Sequence, residues 1–160
     1  MNGRPELLLA SAQLRDQIAR LQREVDDVEA LALPGATPDR TALWAIAAHL
    51  QAFYSGCEAC LQRALEPLDG VPPHGGDSHV RLLRAASLAI PTVRPAVLRA
   101  ETVALLDPYR AFRHFFRHGY GVDLNWLRME SKARTIGSAH AELSRDILEF
   151  CAFLDAAGAS

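Results

Sequence analysis

Apolar residues recur at alternating steps of four and three near the start of the chain, at Leu14, Ile18, Leu21, Val25 and Val28. Such spacing draws one stripe along a helix, because 3.6 residues per turn return these positions to the same face. A first helix is therefore predicted from Pro5 to about Ala32, with Pro34-Gly35 ending it. Thr37 is a good N-cap, and Pro38 suits the first position of a second helix running to about Leu65. The stretch PLDGVPPHGG, residues 67–76, reads as a turn-rich loop, after which Asp77 caps a short third helix to about Leu88. Residues Ile90 to Pro95 form a break, and Pro95 starts a fourth helix that reaches His118. A last helix, about Trp126 to Ala156, repeats apolar positions at Ile136, Leu143, Ile147, Phe150 and Leu154. No segment alternates with period two, and no internal repeat is visible. The pattern predicts an all-α fold in one domain spanning residues 1–160, an antiparallel up-down bundle of four long helices plus a short extra helix.

Composition agrees with a globular chain: of 160 residues, 49% are apolar, enough to build a proper core. The formal net charge of −2 predicts no general affinity for polyanions. DNA is thus not an expected partner, and any nucleic-acid contact must come from a local patch. Lys132 is the only lysine, an arginine bias that genomic base composition would give as readily as function. Cys57 and Cys60 make a C-x-x-C inside a helical pattern without a βαβ context, which reads as two small apolar residues one turn apart. No stretch reaches the roughly 18 consecutive apolar residues of a membrane span. The N-terminal apolar run is too short for a signal peptide, so a cytoplasmic protein with reduced thiols is expected. His74 and His79 lie in the glycine-rich loop without a third ligand, so neither a metal nor a cofactor is expected. His49 reads as a solvated or interhelical hydrogen-bonding residue, and His140 as a histidine packed on the stripe of Ile136 and Leu143.

The chemistry concentrates in Tyr109 to Tyr120, YRAFRHFFRHGY. At about 100° per residue, Arg110, Arg113, His114, Arg117 and His118 fall within an arc of roughly 140°. Phe112, Phe115 and Phe116 fall opposite, so the aromatic face should bury while the cationic face looks outward. Gly119 and Gly121 should stop the helix, leaving His118 and Tyr120 where it opens into a turn. An always-charged guanidinium beside an imidazole that trades protons near neutral pH suits phosphodiester chemistry. A plain cationic face ion-paired with acids such as Glu101 or Asp107 would have the same spacing.

The stretch YRAFRHFFRHGYGVDLNW, Tyr109 to Trp126, resembles the HEPN superfamily and, within it, the HepT-like toxins. Their signature is an Arg, a polar residue, then a His after four to six intervening residues, often followed by x-Tyr. Arg113, His114, His118 and Tyr120 fit it. HLQAFYSGCEACLQRAL (49–65), LAIPTVRPAVL (88–98) and the run Tyr120, Gly121, Leu124, Trp126 look like one branch of the same group. His118 is present where some members of that branch carry Asn, so the motif is chemically complete. The acidic residue expected beside Trp126 is replaced by Leu127, with Asn125 on the other side.

The resemblance implies a metal-independent endoribonuclease, the toxin of a toxin–antitoxin pair. Its partners would be an RNA substrate, a nucleotidyltransferase antitoxin and a second copy of the chain. His118 would transfer the proton and Arg113 would clamp the phosphate, with His114 beside them and Arg110 and Arg117 binding RNA. One chain is short of proton-transfer groups on the motif alone, so a two-fold dimer apposing two motifs is expected. Tyr120 would be the residue to which the antitoxin adds AMP. Two other readings share these residues: a helical binding subunit of a nucleotidyltransferase without catalysis, and a plain oligomerisation module.

Overall fold

The computed structural model describes residues 3–71, 75–119 and 123–160. Five helices follow one another: α1 (Pro5–Leu31), α2 (Arg40–Asp69), α3 (Ser78–Ala86), α4 (Ala100–His118) and α5 (Trp126–Ala159). Among the described residues there is no strand, only an isolated bridge between Ile90 and Arg94. The expected all-α bundle of four long helices and one short one is what forms. Helix α1 packs chiefly on α5 and α2, while α4 lies on α2 and α5, and α3 bridges α2 and α4.

The stripes read from the sequence are the stripes that bury. Leu14, Ile18, Leu21, Val25 and Val28 of α1 meet Ile136, Leu143, Ile147, Phe150 and Leu154 of α5 in one core. The α1–α2 approach is close: a Cβ on Gly56 would lie 2.3 Å from Leu21 Cδ2. His140 is buried on the same stripe, its Nε2 within 2.9 Å of the Ile18 carbonyl, so it is a packed histidine.

Helix α5 runs on to Ala159, and three other helix boundaries differ from expectation for a physical reason. Helix α2 is capped by Asp39, not Thr37, since the Asp39 carboxylate accepts from the Ala42 N–H at 2.8 Å. It also continues past Leu65, through Pro67, to Asp69. Helix α4 begins at Ala100, not Pro95. The preceding chain instead bends at Val97 and Leu98, whose N–H groups both donate to the Ala86 carbonyl at 2.8 and 3.0 Å. Asp146 of α5 then accepts from the Arg99 N–H at 2.9 Å, taking the place of a local cap.

Arg94 explains why α2 is so long and α4 so late. Its side chain is only 1% exposed, and Nε and Nη2 donate to the two Asp69 carboxylate oxygens at 2.6 and 2.7 Å. The same guanidinium reaches the carbonyls of Leu88, Pro95 and Ala85. It thereby ties the end of α2 to the end of α3 and to the connection entering α4. The turn it closes places Thr92 at φ 64, a left-handed conformation unfavourable for a β-branched residue. Backbone bonds between Ile90 and Arg94, both 2.9 Å, hold that turn shut.

Candidate phosphate and proton-transfer cleft

Helix α4 runs through Pro108 and ends at His118, with the Gly119 N–H donating to the Phe115 carbonyl at 3.0 Å. Its C-terminal half carries the expected cationic face. Arg110, Arg113, His114, Arg117 and His118 all line one cleft of about 240 Å³, and the wall opposite is the start of α3, including His79. The five α4 residues singled out from the sequence are therefore brought together. Tyr120 and Gly121 lie outside the described residues, as does His74.

The members of the cluster are held differently. Arg113 is nearly buried, at 13% exposure, with Nε donating to Ser55 Oγ at 2.8 Å and Nη1 3.2 Å from Glu58 Oε1. Two of its nitrogens are engaged in this way, and a guanidinium carries five N–H donors. Arg110 pairs with Asp107 at 2.6 Å, and that hydrogen bond pushes its pKa further up. Arg117, His114 and His118 are exposed to solvent. His118 Nδ1 lies 2.8 Å from the His114 carbonyl, and the two rings sit 4.5 Å apart between centroids. With Nδ1 donating to that carbonyl, Nε2 is the free ring nitrogen of His118, a lone pair in the neutral ring and an N–H donor in the imidazolium.

Sequence reasoning missed Glu58 and Ser55, and gave His79 only as a loop residue. Glu58 of α2 is buried, at 7% side-chain exposure, and joins the cleft's two walls from behind. One carboxylate oxygen faces Arg113 of α4, and the other lies 2.5 Å from His79 Nδ1 on α3. A signal for Glu58 was available. It stands on the buried stripe of α2 among Tyr54, Cys57, Leu61 and Leu65, and an acid on an apolar stripe needs a charged partner.

Of the aromatic face, Phe112 is buried and Phe116 packs partly against the core, tilted on Trp44 with centroids 6.0 Å apart. Phe115 departs from expectation: it is 42% exposed and edges a separate apolar cleft of about 260 Å³ with Phe112, Leu124 and Met129. Of the three phenylalanines it is the one outside the core, whereas Phe116 meets Trp44 of α2. Tyr109, the first residue of the motif segment, is buried. Its hydroxyl donates to the Lys132 carbonyl and pairs with Thr135 Oγ1, both at 2.9 Å, and burial pushes the phenol up to about 12.

Elsewhere, His49 makes the interhelical contact expected of it, with Nδ1 2.7 Å from Glu24 Oε2 and 3.8 Å from Asp27 on α1. The ligand atoms of these three residues lie within 4.8 Å of one another, and none of the three lines the cleft. The three cysteines are buried free thiols; Cys60 is pushed up to about 12 by burial, as inert packing residues would be. Among the described residues, no helix is long and apolar enough to cross a membrane.

No curated protein and no solved structure matches the chain. A family model described as HepT-like protein matches residues 45–154, which takes in most of α2, all of α3 and α4, and most of α5, and so the whole cleft. The match covers well over half the chain and includes every helix that supplies a cleft residue; the protein belongs to the HepT-like family of the HEPN superfamily.

Proposed function

We propose that this protein is a HEPN-type endoribonuclease, the toxin of a toxin–antitoxin pair, cleaving RNA without a metal ion. The supporting observation is the convergence of Arg113 and His118 with His114, Arg110 and Arg117 on one solvent-open cleft. Cleavage by the 2′-hydroxyl needs a base, an acid and neutralisation of charge at phosphorus. Arg113 is the phosphate clamp, held in place by Ser55 and Glu58. His118 moves a proton through Nε2, His114 adjoins it, and Arg110 and Arg117 extend the positive surface along the RNA. Purified protein incubated with single-stranded RNA in excess EDTA should cleave it; full inhibition by EDTA would contradict the proposal.

The protein acts as a two-fold homodimer with the 110–120 segments near the axis, so that two positive clefts face one RNA strand. Size-exclusion chromatography with light scattering should give the mass of two chains at tens of micromolar. A monomer at that concentration would exclude a dimeric site.

Its second partner is a nucleotidyltransferase antitoxin that silences it by adding AMP to Tyr120. Arg113 stands seven residues before Tyr120 in the sequence, and a phosphate attached beside it would compete for the RNA phosphate's place. Intact-mass analysis after co-expression with such a nucleotidyltransferase should show one or more AMP additions, lost in Tyr120→Phe. Persistent modification of that variant would move the switch elsewhere. Tyr109 is a poor substitute, because its hydroxyl is enclosed and doubly hydrogen-bonded.

A second reading has one observation in its favour. Arg113 is already paired with Glu58, as a purely structural arginine would be. In that reading the chain is a catalytically inactive helical subunit that docks on the nucleotidyltransferase, and the EDTA assay would show no cleavage.

A further inference from the structure

We infer that His79 of α3 is a further catalytic residue of the cleft, the general base that removes the 2′-hydroxyl proton, so that each protomer carries both proton-transfer groups of RNA cleavage. This rests on the nuclease reading and adds to it a residue outside the Arg-x4-His motif. The motif alone offers one stretch of α4, and its shortage of proton-transfer groups is what makes a composite site attractive from the sequence. The fold relieves that shortage by laying the start of α3 across the cleft from His118.

The orientation of His79 follows from its partner. Glu58 is paired with Arg113 and is a carboxylate, which accepts hydrogen bonds and donates none. The 2.5 Å contact between Glu58 Oε2 and His79 Nδ1 therefore puts the proton on Nδ1. In the neutral ring the lone pair then lies on Nε2, the nitrogen away from Glu58, and His79 is one of the residues that line the cleft. A carboxylate behind an imidazole fixes its tautomer and stabilises the imidazolium formed when it takes a proton. Among the described residues His118 has no such carboxylate; its Nδ1 faces the His114 carbonyl, so that as an imidazolium it presents its second N–H from Nε2. That support is what a base needs as it takes up a proton, so His79 takes the accepting role and His118 the donating one.

In the reaction, the 2′-oxygen bonds to phosphorus as its proton passes to His79 Nε2, the bond from phosphorus to O5′ breaks, and O5′ takes the proton from His118 Nε2. Products are a 2′,3′-cyclic phosphate and a 5′-hydroxyl, with no water consumed. Glu58 has a dual place: through Oε1 it positions the phosphate-binding Arg113, and through Oε2 it orients the base. The other charged and titratable groups lining the cleft with His79 are Arg110, His114 and Arg117 on α4, and Asp77, paired with Arg81, just before α3.

His79→Asn tests this, because the asparagine amide can still donate to Glu58 from nearly the position of Nδ1 but cannot titrate. Metal-free cleavage by the wild type should have a bell-shaped pH dependence. The acidic limb reports a base that must be unprotonated, and the basic limb an acid that must be protonated. The variant is expected to melt like the wild type, to cleave roughly 10²-fold more slowly, and to lose the acidic limb while keeping the basic one. Cleavage within threefold of the wild type, or a slower rate with both limbs intact, overturns the assignment while leaving the nuclease reading standing. A wild type that cleaves no RNA ends both. Long-range proton–nitrogen spectra of the wild type read the tautomer independently of any variant: a neutral His79 protonated on Nε2 would also overturn it.

Discussion

Replacing His118 with alanine is expected to lower metal-free RNA cleavage by roughly 10²–10⁴-fold, the usual range for removing a general acid or base. The size of the effect follows from where the residue stands. His118 is the last residue of α4, exposed, and its one described hydrogen bond runs to the carbonyl of His114 one turn earlier. Nothing in the core depends on it, so the melting temperature should stay within about 2 °C, the spread of surface substitutions. Cleavage lost while stability holds would place the defect in the chemistry. The basic limb of the pH profile should vanish with the imidazole, since the group that must be protonated is gone. Undiminished cleavage by the variant would show that the motif histidine is not the proton donor.

Arg94→Ala should have the largest effect on stability, a loss of roughly 3–5 kcal/mol, typical of breaking a buried ion pair by removing one partner. Asp69 loses both of its guanidinium donors and the carbonyls of Leu88, Pro95 and Ala85 lose theirs, in a place where little water can substitute. At about 2–4 °C per kcal/mol for a domain of this size, the melting temperature should fall by roughly 6–20 °C. Lysine at the same position should recover only part of the loss, because an ammonium cannot match the two-pronged contact with Asp69. The strained turn at Thr92 adds to the expectation, since its conformation persists only while its surroundings enforce it. A thermal melt of the alanine variant within about 2 °C of the wild type, the spread of surface substitutions, would contradict this structural role of Arg94.

Helix stripes were readable because they are local. Leu14 to Val28 and Ile136 to Leu154 repeat at the helical period, and burial follows that period faithfully. The helix starts at Pro5 and Trp126 were readable, whereas the local Asp39 cap of α2 was missed in favour of Thr37. Asn125 caps α5 through the Leu127 N–H at 2.9 Å, and α5 begins at Trp126 as expected. The start of α4 was not, because its N-terminus is satisfied by Asp146, forty-seven residues later in the chain, and its approach is steered by Arg94. The cationic arc from Arg110 to His118 could be drawn from angles alone. What faces it could not. Single-helix geometry has no means of bringing Glu58 and His79 to Arg113, since that depends on how α2, α3 and α4 pack. The same limit applies to Phe115, whose exposure is decided by how far round α4 the neighbouring helices reach.

If a guanidinium and imidazoles act together in this cleft to drive attack by the RNA's own 2′-hydroxyl, the ends of the product will show it most directly. A synthetic RNA cleaved by wild-type protein in excess EDTA should yield, by mass spectrometry, fragments ending in 2′,3′-cyclic phosphate paired with fragments beginning in 5′-hydroxyl. The same oligonucleotide carrying a 2′-deoxy sugar at the cleaved position should stay intact. Products with 5′-phosphate and 3′-hydroxyl ends, or cleavage of the deoxy-substituted strand, would mean that water attacks phosphorus and that the cleft does not work through the 2′-hydroxyl.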